Sequence, residues 1–308
     1  MSDTNTTFQN QRVESLLSFG ALCINFEYGF QQLNQYLDEV EQRRAGIPYE
    51  ALGMSERRRM AQPSVISFAA SGQPTVISDP YILSREGEVT PGSIALIRLI
   101  GVMRAEGGAC SVGVRETADM LRKAYSNTNI SAIILEVNSG GGEVSAMQLM
   151  RSAVEERNKP VIGFSQMAAS AAYGTIAKTD EVIADGVLAE FGSIGALIQV
   201  NREFLQMYKD TFATFYGENA PKKNKEMRAA LEGDFSMLQE AANTYTDQFQ
   251  EMIASDRPLT GGDAYRKQTL SGDMFGADEA KRRGLIDGVG NLNYAIKRAR
   301  AWAAKYPN

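Results

Sequence analysis

The chain has 308 residues, a formal net charge of −5 and no histidine. With 44% hydrophobic and 22% charged residues, its composition is that of a globular protein. The acidic balance argues against nucleic-acid binding. Only two cysteines are present, without metal-ligand spacing, and together with the lack of histidine they argue against a zinc site and a disulfide scaffold. We therefore expect no metal.

Residues 1–62 are predicted to form a helical N-terminal extension, because apolar residues recur at helical spacing from Leu16 to Val40. The start of the chain lacks the order of a secretory signal. The apolar run at 16–26 is shorter than the roughly 20 residues of a membrane span. We expect neither secretion nor a membrane span, and we interpret that run as a buried or interface helix. Residues 63–92, rich in Pro, Ser and Gly, are predicted to be a connector with room for an edge hairpin.

Strands and helices alternate from residue 93 onward. The predicted strands at 93–103, 131–139, 159–166, 181–186 and 194–200 are continuous apolar runs, and the predicted helices between them lie at 114–127, 145–158 and 169–179. This alternation predicts a parallel sheet covered by helices with right-handed crossovers. The remainder is predicted to be mostly helical, at about 226–254, 277–284 and 292–305. The fold class is therefore α/β, over residues 93–305.

Two features follow successive strands, at the sheet edge where α/β proteins bind ligands. Gly140, Gly141 and Gly142 leave amide N–H groups free to point at an anion. Ser170 follows the next strand near a helix N-terminus, where the helix dipole stabilises negative charge. A nucleophile beside amide donors is the arrangement that acyl transfer needs. A tight turn and a close-packed Ala-Ala-Ser-Ala-Ala helix explain the same residues, and this alternative stays open.

Three blocks resemble, in order and spacing, the motifs of the S49 serine peptidases, which include signal peptide peptidase A and the head-maturation proteases of tailed phages. They are Ser139 to Gly142, Ala169 to Tyr173 and Gly192 to Ala196. The segment "GDMFGADEAKRRGLIDGVGNLNYAI" is similar to the family's closing segment. The resemblance covers about residues 93–300. It implies a Clp protease/crotonase-like fold of stacked ββα units and peptide-bond hydrolysis by a Ser–Lys dyad without a cofactor.

The resemblance implies a role for several residues of the glycine loop and the serine motif. Ser170 is the expected nucleophile, and the amides of Gly141 and Ala171 are the expected oxyanion hole. Gly142 and Ser193 are expected to line the cleft. Ala171 and the following alanine replace the two glycines of the family, which leaves the backbone donor in place.

The base is expected to be a lysine. A serine needs an adjacent base, the chain has no histidine, and lysine serves when burial lowers its pKa. The position of the base in the family points to Lys222, with Lys223 and Lys225 as alternatives. Lys222 requires a loop about two residues longer than the usual motif, in which the lysine stands three residues after a glycine.

The resemblance favours a phage or prophage protease that processes scaffold or capsid proteins, in the cytoplasm or in the procapsid. Its substrate is a protein or peptide, and self-association is expected because such folds usually build their clefts between subunits. A cellular protease of the signal peptide peptidase type is the alternative. An inactive structural relative and a crotonase-like acyl-CoA enzyme also remain, although nothing in the sequence suggests a CoA site.

Overall fold

The structure is a computed structural model that describes residues 61–68, 73–107 and 112–306, together with the backbone of residues 21–24. The described residues form two compact units. The smaller unit contains residues 21, 22 and 196–248, and the larger unit contains the remaining described residues.

The strands and helices have the following bounds. The strands are β1 (Ala21–Ile24), β2 (Ser64–Phe68), β3 (Pro74–Ser78), β4 (Ser93–Ile100), β5 (Ile130–Ser139), β6 (Gly141–Glu143), β7 (Val161–Ala169), β8 (Glu181–Asp185), β9 (Glu190–Gly192), β10 (Leu197–Ile198), β11 (Met274–Gly276) and β12 (Gly288–Gly290). The helices are α1 (Val114–Ser126), α2 (Val144–Glu155), α3 (Ala171–Ile176), α4 (Arg202–Thr211), α5 (Lys225–Leu231), α6 (Ser236–Asp256), α7 (Asp263–Thr269), α8 (Ala277–Arg282) and α9 (Leu292–Ala303).

The larger unit is built on a sheet with the strand order β11-β9-β7-β5-β4-β2-β3, in which β8 also pairs with β7 and β12 with β8. The ladders that join β4, β5, β7, β8 and β9 are parallel. The strands β2, β3 and β11 are antiparallel additions. Helices connect the central parallel strands, so the predicted α/β fold with a mostly parallel sheet is confirmed.

Both faces of the central strands are buried. On β5, the consecutive residues Ile133 and Ile134 are each 0% exposed, which is the pattern of a parallel strand covered on both sides. One face packs on α9 through a cluster of small and branched apolar side chains: Ile66, Ile94, Leu96, Ala132, Ile134, Ile162, Phe164, Ile183, Ala295, Ile296 and Ala299. The helix α1 packs on α2, and α2 packs on α3. The continuous apolar runs of the sequence thus become the centre of the core.

The prediction of a helix across residues 16–26 is wrong where it can be compared. Residues Ala21–Ile24 form the strand β1, whose residues Ala21 and Leu22 pair antiparallel with Ile198 and Leu197 of β10. The strand forms because a partner distant in the sequence supplies the hydrogen bonds, and a local helical period does not report such a partner. The remainder of the predicted helical extension up to residue 60 lies outside the described residues.

The segment 63–92 contributes directly to the sheet. The predicted edge hairpin is β2 and β3, and β2 also pairs antiparallel with β4. Val65 and Ile66 are fully buried, whereas β3 is exposed along its length at the edge. The segment is therefore a part of the core as well as a connection, because the apolar residues of β2 cover the flank of β4.

Residues 196–248 belong to a compact unit of their own within the predicted domain 93–305. Leu205 and Ala230 are the buried apolar side chains of this unit among the described residues, so it holds little core of its own. The predicted helix 226–254 is divided into α5 and α6. The first helix ends because Gly233 has a φ of 83°, the left-handed conformation in which glycine commonly stops a helix. Asp234 Oδ1 then accepts a hydrogen bond at 2.9 Å from the amide of Ser236, the first residue of α6. Across the described residues, no helix combines the length and apolarity that crossing a membrane requires.

Candidate active site

Ser170 lies at the junction between β7 and α3, and its backbone is strained. Its φ of 56° and ψ of −123° fall in a region that residues with a Cβ rarely occupy. Such strain persists only where the surrounding structure over-determines it, and it is concentrated at functional sites. A sharp turn from strand to helix is also the geometry that presents a nucleophilic serine at the end of a sheet.

Hydrogen bonds on either side hold this turn in place. The Ser170 amide donates to Gly192 O at 2.8 Å, and the Gly174 amide donates to Ser170 O at 2.9 Å. The hydroxyl is held more weakly, because Ser170 Oγ lies 3.4 Å from Gly195 O, beyond the usual distance for an O–H donor. The backbone of Ser170 is therefore fixed, while its hydroxyl has only a weak hydrogen bond.

The first amides of α3 follow Ser170 directly. In an α-helix, the N–H groups of the first turn have no carbonyl partner within the helix, and they carry the positive end of the helix dipole. Ala171 is the first residue of α3 and is fully buried. A donor in this position suits an oxyanion, and the assignment of this role to Ala171 stays a prediction.

The glycine loop and Ser170 lie at the same edge of the sheet. Ser139 at the end of β5 pairs with Ala168 of β7, two residues before the serine. Gly141 has a φ of 103°, which favours glycine. Its N–H donates to Ser139 Oγ at 3.0 Å. To bind an oxyanion, Gly141 must therefore exchange this hydroxyl for the oxygen of a substrate.

Gly142 packs against a neighbouring backbone segment. Met103 donates its amide to Gly141 O and accepts from the Glu143 amide, each at 2.9 Å. A Cβ on Gly142 would lie 2.0 Å from Met103 O. Gly142 is buried, so it occupies a packing position against the Met103 segment, and its expected place in the cleft remains a prediction.

We expect Gly142→Ala to disrupt the glycine loop, residues 140–142. The added methyl group has to displace the Met103 backbone, and overpacking of this kind costs about 1–3 kcal/mol. Thermal unfolding should show a lower Tm, and labelling of Ser170 by a fluorophosphonate should slow with it. Gly87→Ala is the control, since a Cβ at Gly87 meets nothing within 4 Å. An unchanged Tm for Gly142→Ala would contradict the packing role.

Ser193 occupies a second strained turn, after β9. Its φ is 52°, and its amide donates to Asp273 O at 2.8 Å. The residue is half-buried. Because β9 pairs with β7 up to Ala169 and Gly192, Ser193 immediately follows the strand that flanks the serine turn. The structure brings Ser193 to this edge, and its expected position in the cleft remains a prediction.

Tyr173 explains why the serine motif carries an aromatic residue. Its side chain is 0% exposed, and its hydroxyl donates to Leu285 O at 2.8 Å. Burial raises the pKa of the Tyr173 phenol, which keeps the hydroxyl protonated as a donor. The tyrosine therefore links α3 to the C-terminal segment that resembles the family's closing segment and contains Leu285.

The three candidate lysines lie in the smaller unit. Lys222 and Lys223 are exposed and occupy the turn that precedes α5. Lys225 is the first residue of α5, with its Nζ 4.0 Å from Glu226 Oε1. In the larger unit, Lys178 follows α3, and its Nζ lies 3.1 Å from Asp256 Oδ1 and 3.4 Å from Glu155 Oε1. Two carboxylates therefore already hold the Lys178 side chain in ion pairs.

Sequence reasoning missed two residues that shape this edge of the sheet. Asn138 Oδ1 accepts hydrogen bonds from the amides of Gln166 and Met167, at 2.9 and 3.2 Å, where the pairing of β5 with β7 shifts register. A polar residue at the end of an apolar strand is a weak signal for such a bulge. Met103 acts through its backbone, for which the sequence holds no signal.

Comparisons with known proteins identify the relatives of this chain. It is 28% identical to Protease 4 of Haemophilus influenzae over 234 residues, which cover 68% of this chain and 34% of that protein. It is 26% identical to the chloroplastic serine protease SPPA of Arabidopsis thaliana over 217 residues, covering 66% of this chain and 31% of that protein. The chain thus spans about a third of the length of these relatives. No protein-family model matches it.

Solved structures were compared as well. A membrane-bound stomatin-specific protease in complex with a substrate peptide matches 68% of this chain and 80% of its own, with 16% identity and a TM-score of 0.43. An enoyl-CoA hydratase/isomerase family member matches 70% of this chain and 74% of its own, with 13% identity and a TM-score of 0.38. The sequence relatives confirm the resemblance that the three motif blocks and the closing segment predicted: the chain is similar to serine proteases of the Protease 4 and SPPA type.

Proposed function

We propose that the chain is a serine endopeptidase with Ser170 as its nucleophile. The strained turn of Ser170, beside the glycine loop and at the N-terminus of α3, carries this proposal. In the first step, Ser170 Oγ attacks the carbonyl carbon of the scissile peptide and gives its proton to the base. The amides of Gly141 and Ala171 stabilise the oxyanion that forms.

The base in this proposal is Lys222. Its side-chain amine takes the proton from Ser170 Oγ and passes it to the leaving amine of the peptide, which yields an acyl-enzyme. Water then attacks the ester and gives a proton to the same amine, which returns that proton to Ser170 Oγ as the acid product leaves. The choice of Lys222 over Lys223 and Lys225 rests on the resemblance of the loop to the family's lysine motif.

The natural substrate in this proposal is a scaffold or capsid protein of a phage or prophage, cut by a self-associating enzyme in the cytoplasm or procapsid. The resemblance to head-maturation proteases supports this part. Purified enzyme incubated with the scaffold and capsid proteins encoded beside it should release discrete fragments. Portal and capsid genes around the coding sequence would agree with this role, and their absence would favour a cellular protease of the signal peptide peptidase type.

Covalent labelling tests the proposed chemistry directly. A fluorophosphonate should react with the folded chain at one position, and peptide mapping by mass spectrometry should place the adduct on Ser170. Heat-unfolded protein is the control, because an unactivated serine should not react. A folded chain that is not labelled, or is labelled elsewhere, would support an inactive structural relative instead.

A further inference from the structure

Arg151 on α2 is a buried cation that contacts α3. The residue is 7% exposed. Its Nη1 donates to Gly174 O at 2.7 Å, and its Nη2 lies 2.7 Å from Asp256 Oδ2. A buried charge is costly unless it is both paired and hydrogen-bonded. Arg151 meets both conditions, because it pairs with Asp256 and donates a hydrogen bond to the backbone of the helix that follows Ser170.

Gly174 connects this ion pair to the nucleophile. Its carbonyl accepts from Arg151, and its amide donates to Ser170 O. Gly174 therefore links the guanidinium of Arg151 to the strained Ser170 through two hydrogen bonds. A Cβ on Gly174 would lie 2.3 Å from Met147 Sδ and 2.8 Å from a ring carbon of Phe249, so α3 is also enclosed tightly by side chains.

Asp256 also contacts the chain just beyond the C-terminal end of α3. Its side chain is 5% exposed, and its Oδ1 pairs with Nζ of Lys178, two residues beyond the end of α3. Asp256 is the last residue of α6, the helix that also carries Phe249. The helix α6 therefore supplies both the counter-ion and a packing surface for α3, and α2 supplies the guanidinium.

We propose that Arg151 and Asp256 are positioning residues for Ser170. Their ion pair fixes the Gly174 peptide, which fixes the Ser170 carbonyl and prevents the strained turn from relaxing. The Ser170 hydroxyl and the Ala171 amide then keep a fixed position relative to each other. This inference rests on the proposed function, because it assigns the ion pair a role in the reactivity of the same serine.

Fluorophosphonate kinetics separate positioning from folding. The variants are Arg151→Met, Arg151→Lys and Asp256→Asn, and the matched control is Glu181→Gln. Glu181 is also a buried carboxylate, but its partners Arg298 and Trp302 lie on α9 rather than on α3. Labelling is measured against probe concentration, well below the lowest Tm, so that the maximal rate and the half-saturating concentration are obtained separately.

We expect the maximal labelling rate of Arg151→Met and Asp256→Asn to fall about 10- to 100-fold, the effect of a misplaced reacting group. The half-saturating concentration should not change. Arg151→Lys keeps the charge but loses the planar fork that reaches both partners, so its rate should be intermediate. Glu181→Gln should lose thermal stability and label at the parental rate.

Two patterns would overturn the positioning role. One is a parental labelling rate in Arg151→Met, Arg151→Lys and Asp256→Asn; the other is an equal loss in Glu181→Gln, which would mark a general effect on folding. In both, the parent itself is labelled at Ser170. An unlabelled parent is a different result, since it refutes the proposed function and the positioning role with it. If Arg151→Met does not fold, the other two variants decide.

Discussion

Ser170→Ala should abolish proteolysis while the fold stays intact. Alanine retains the Cβ and the backbone turn, so it removes the hydroxyl without relieving or adding strain. Loss of a serine nucleophile costs on the order of 10⁶ in kcat in a well-studied serine protease, and we expect turnover of a casein or fluorogenic peptide substrate to fall to background. Circular dichroism and Tm should match the parent.

Ser165→Ala is the matched control for that variant. Ser165 lies on β7, the strand that leads to Ser170, is 1% exposed, and its Oγ has no hydrogen-bond partner among the described residues. Removing this hydroxyl should leave both stability and turnover at the parental level. If Ser170→Ala cleaves substrate as fast as Ser165→Ala, Ser170 is not the nucleophile, whatever its backbone conformation.

Lys222→Ala should cause the second large loss. General acid–base catalysis contributes about 10²- to 10⁴-fold, and kcat should fall by that range when the base is removed. The side chain is exposed and contributes nothing to a core, so the Tm should not change. Steady-state kinetics with a fluorogenic peptide, together with a thermal melt, measures both quantities.

The neighbouring lysines provide the controls. Lys223→Ala and Lys225→Ala remove the same charge from the same short segment, so they report any general effect of charge on substrate binding. We expect both to retain the parental kcat. A parental kcat in Lys222→Ala refutes the assignment, and a selective loss in one of the other two variants would move the base to that residue.

The helices and strands around Ser170 follow from the sequence because their signals are local. The apolar runs of β4, β5 and β7 are buried on both faces, and the glycines and the serine sit where these strands end. The order of three short motifs is also local information. It was enough to predict the resemblance to proteases of the Protease 4 type, which the sequence relatives confirm.

The strand β1 shows where local signals fail. Its residues lie within an apolar pattern of helical period, yet Ala21 and Leu22 pair with β10 about 175 positions later in the chain. The division of the chain at residue 196 is another case. Whether a segment packs as its own unit depends on its contacts with distant residues, which hydrophobic periodicity does not report.

By itself the sequence determined the α/β class and the position of Ser170 after an apolar strand, because short-range order carries this information. Composition determined that the base proposed for Ser170 is not a histidine. Only the tertiary structure decided the strain at Ser170, the bond from Gly141 to Ser139 Oγ and the contact of Met103 with Gly142. It also decided that Arg151 on α2 meets Asp256 on α6 and donates to Gly174 O on α3. Each of these depends on segments distant in the chain meeting in space, or on a backbone conformation that the surrounding packing imposes.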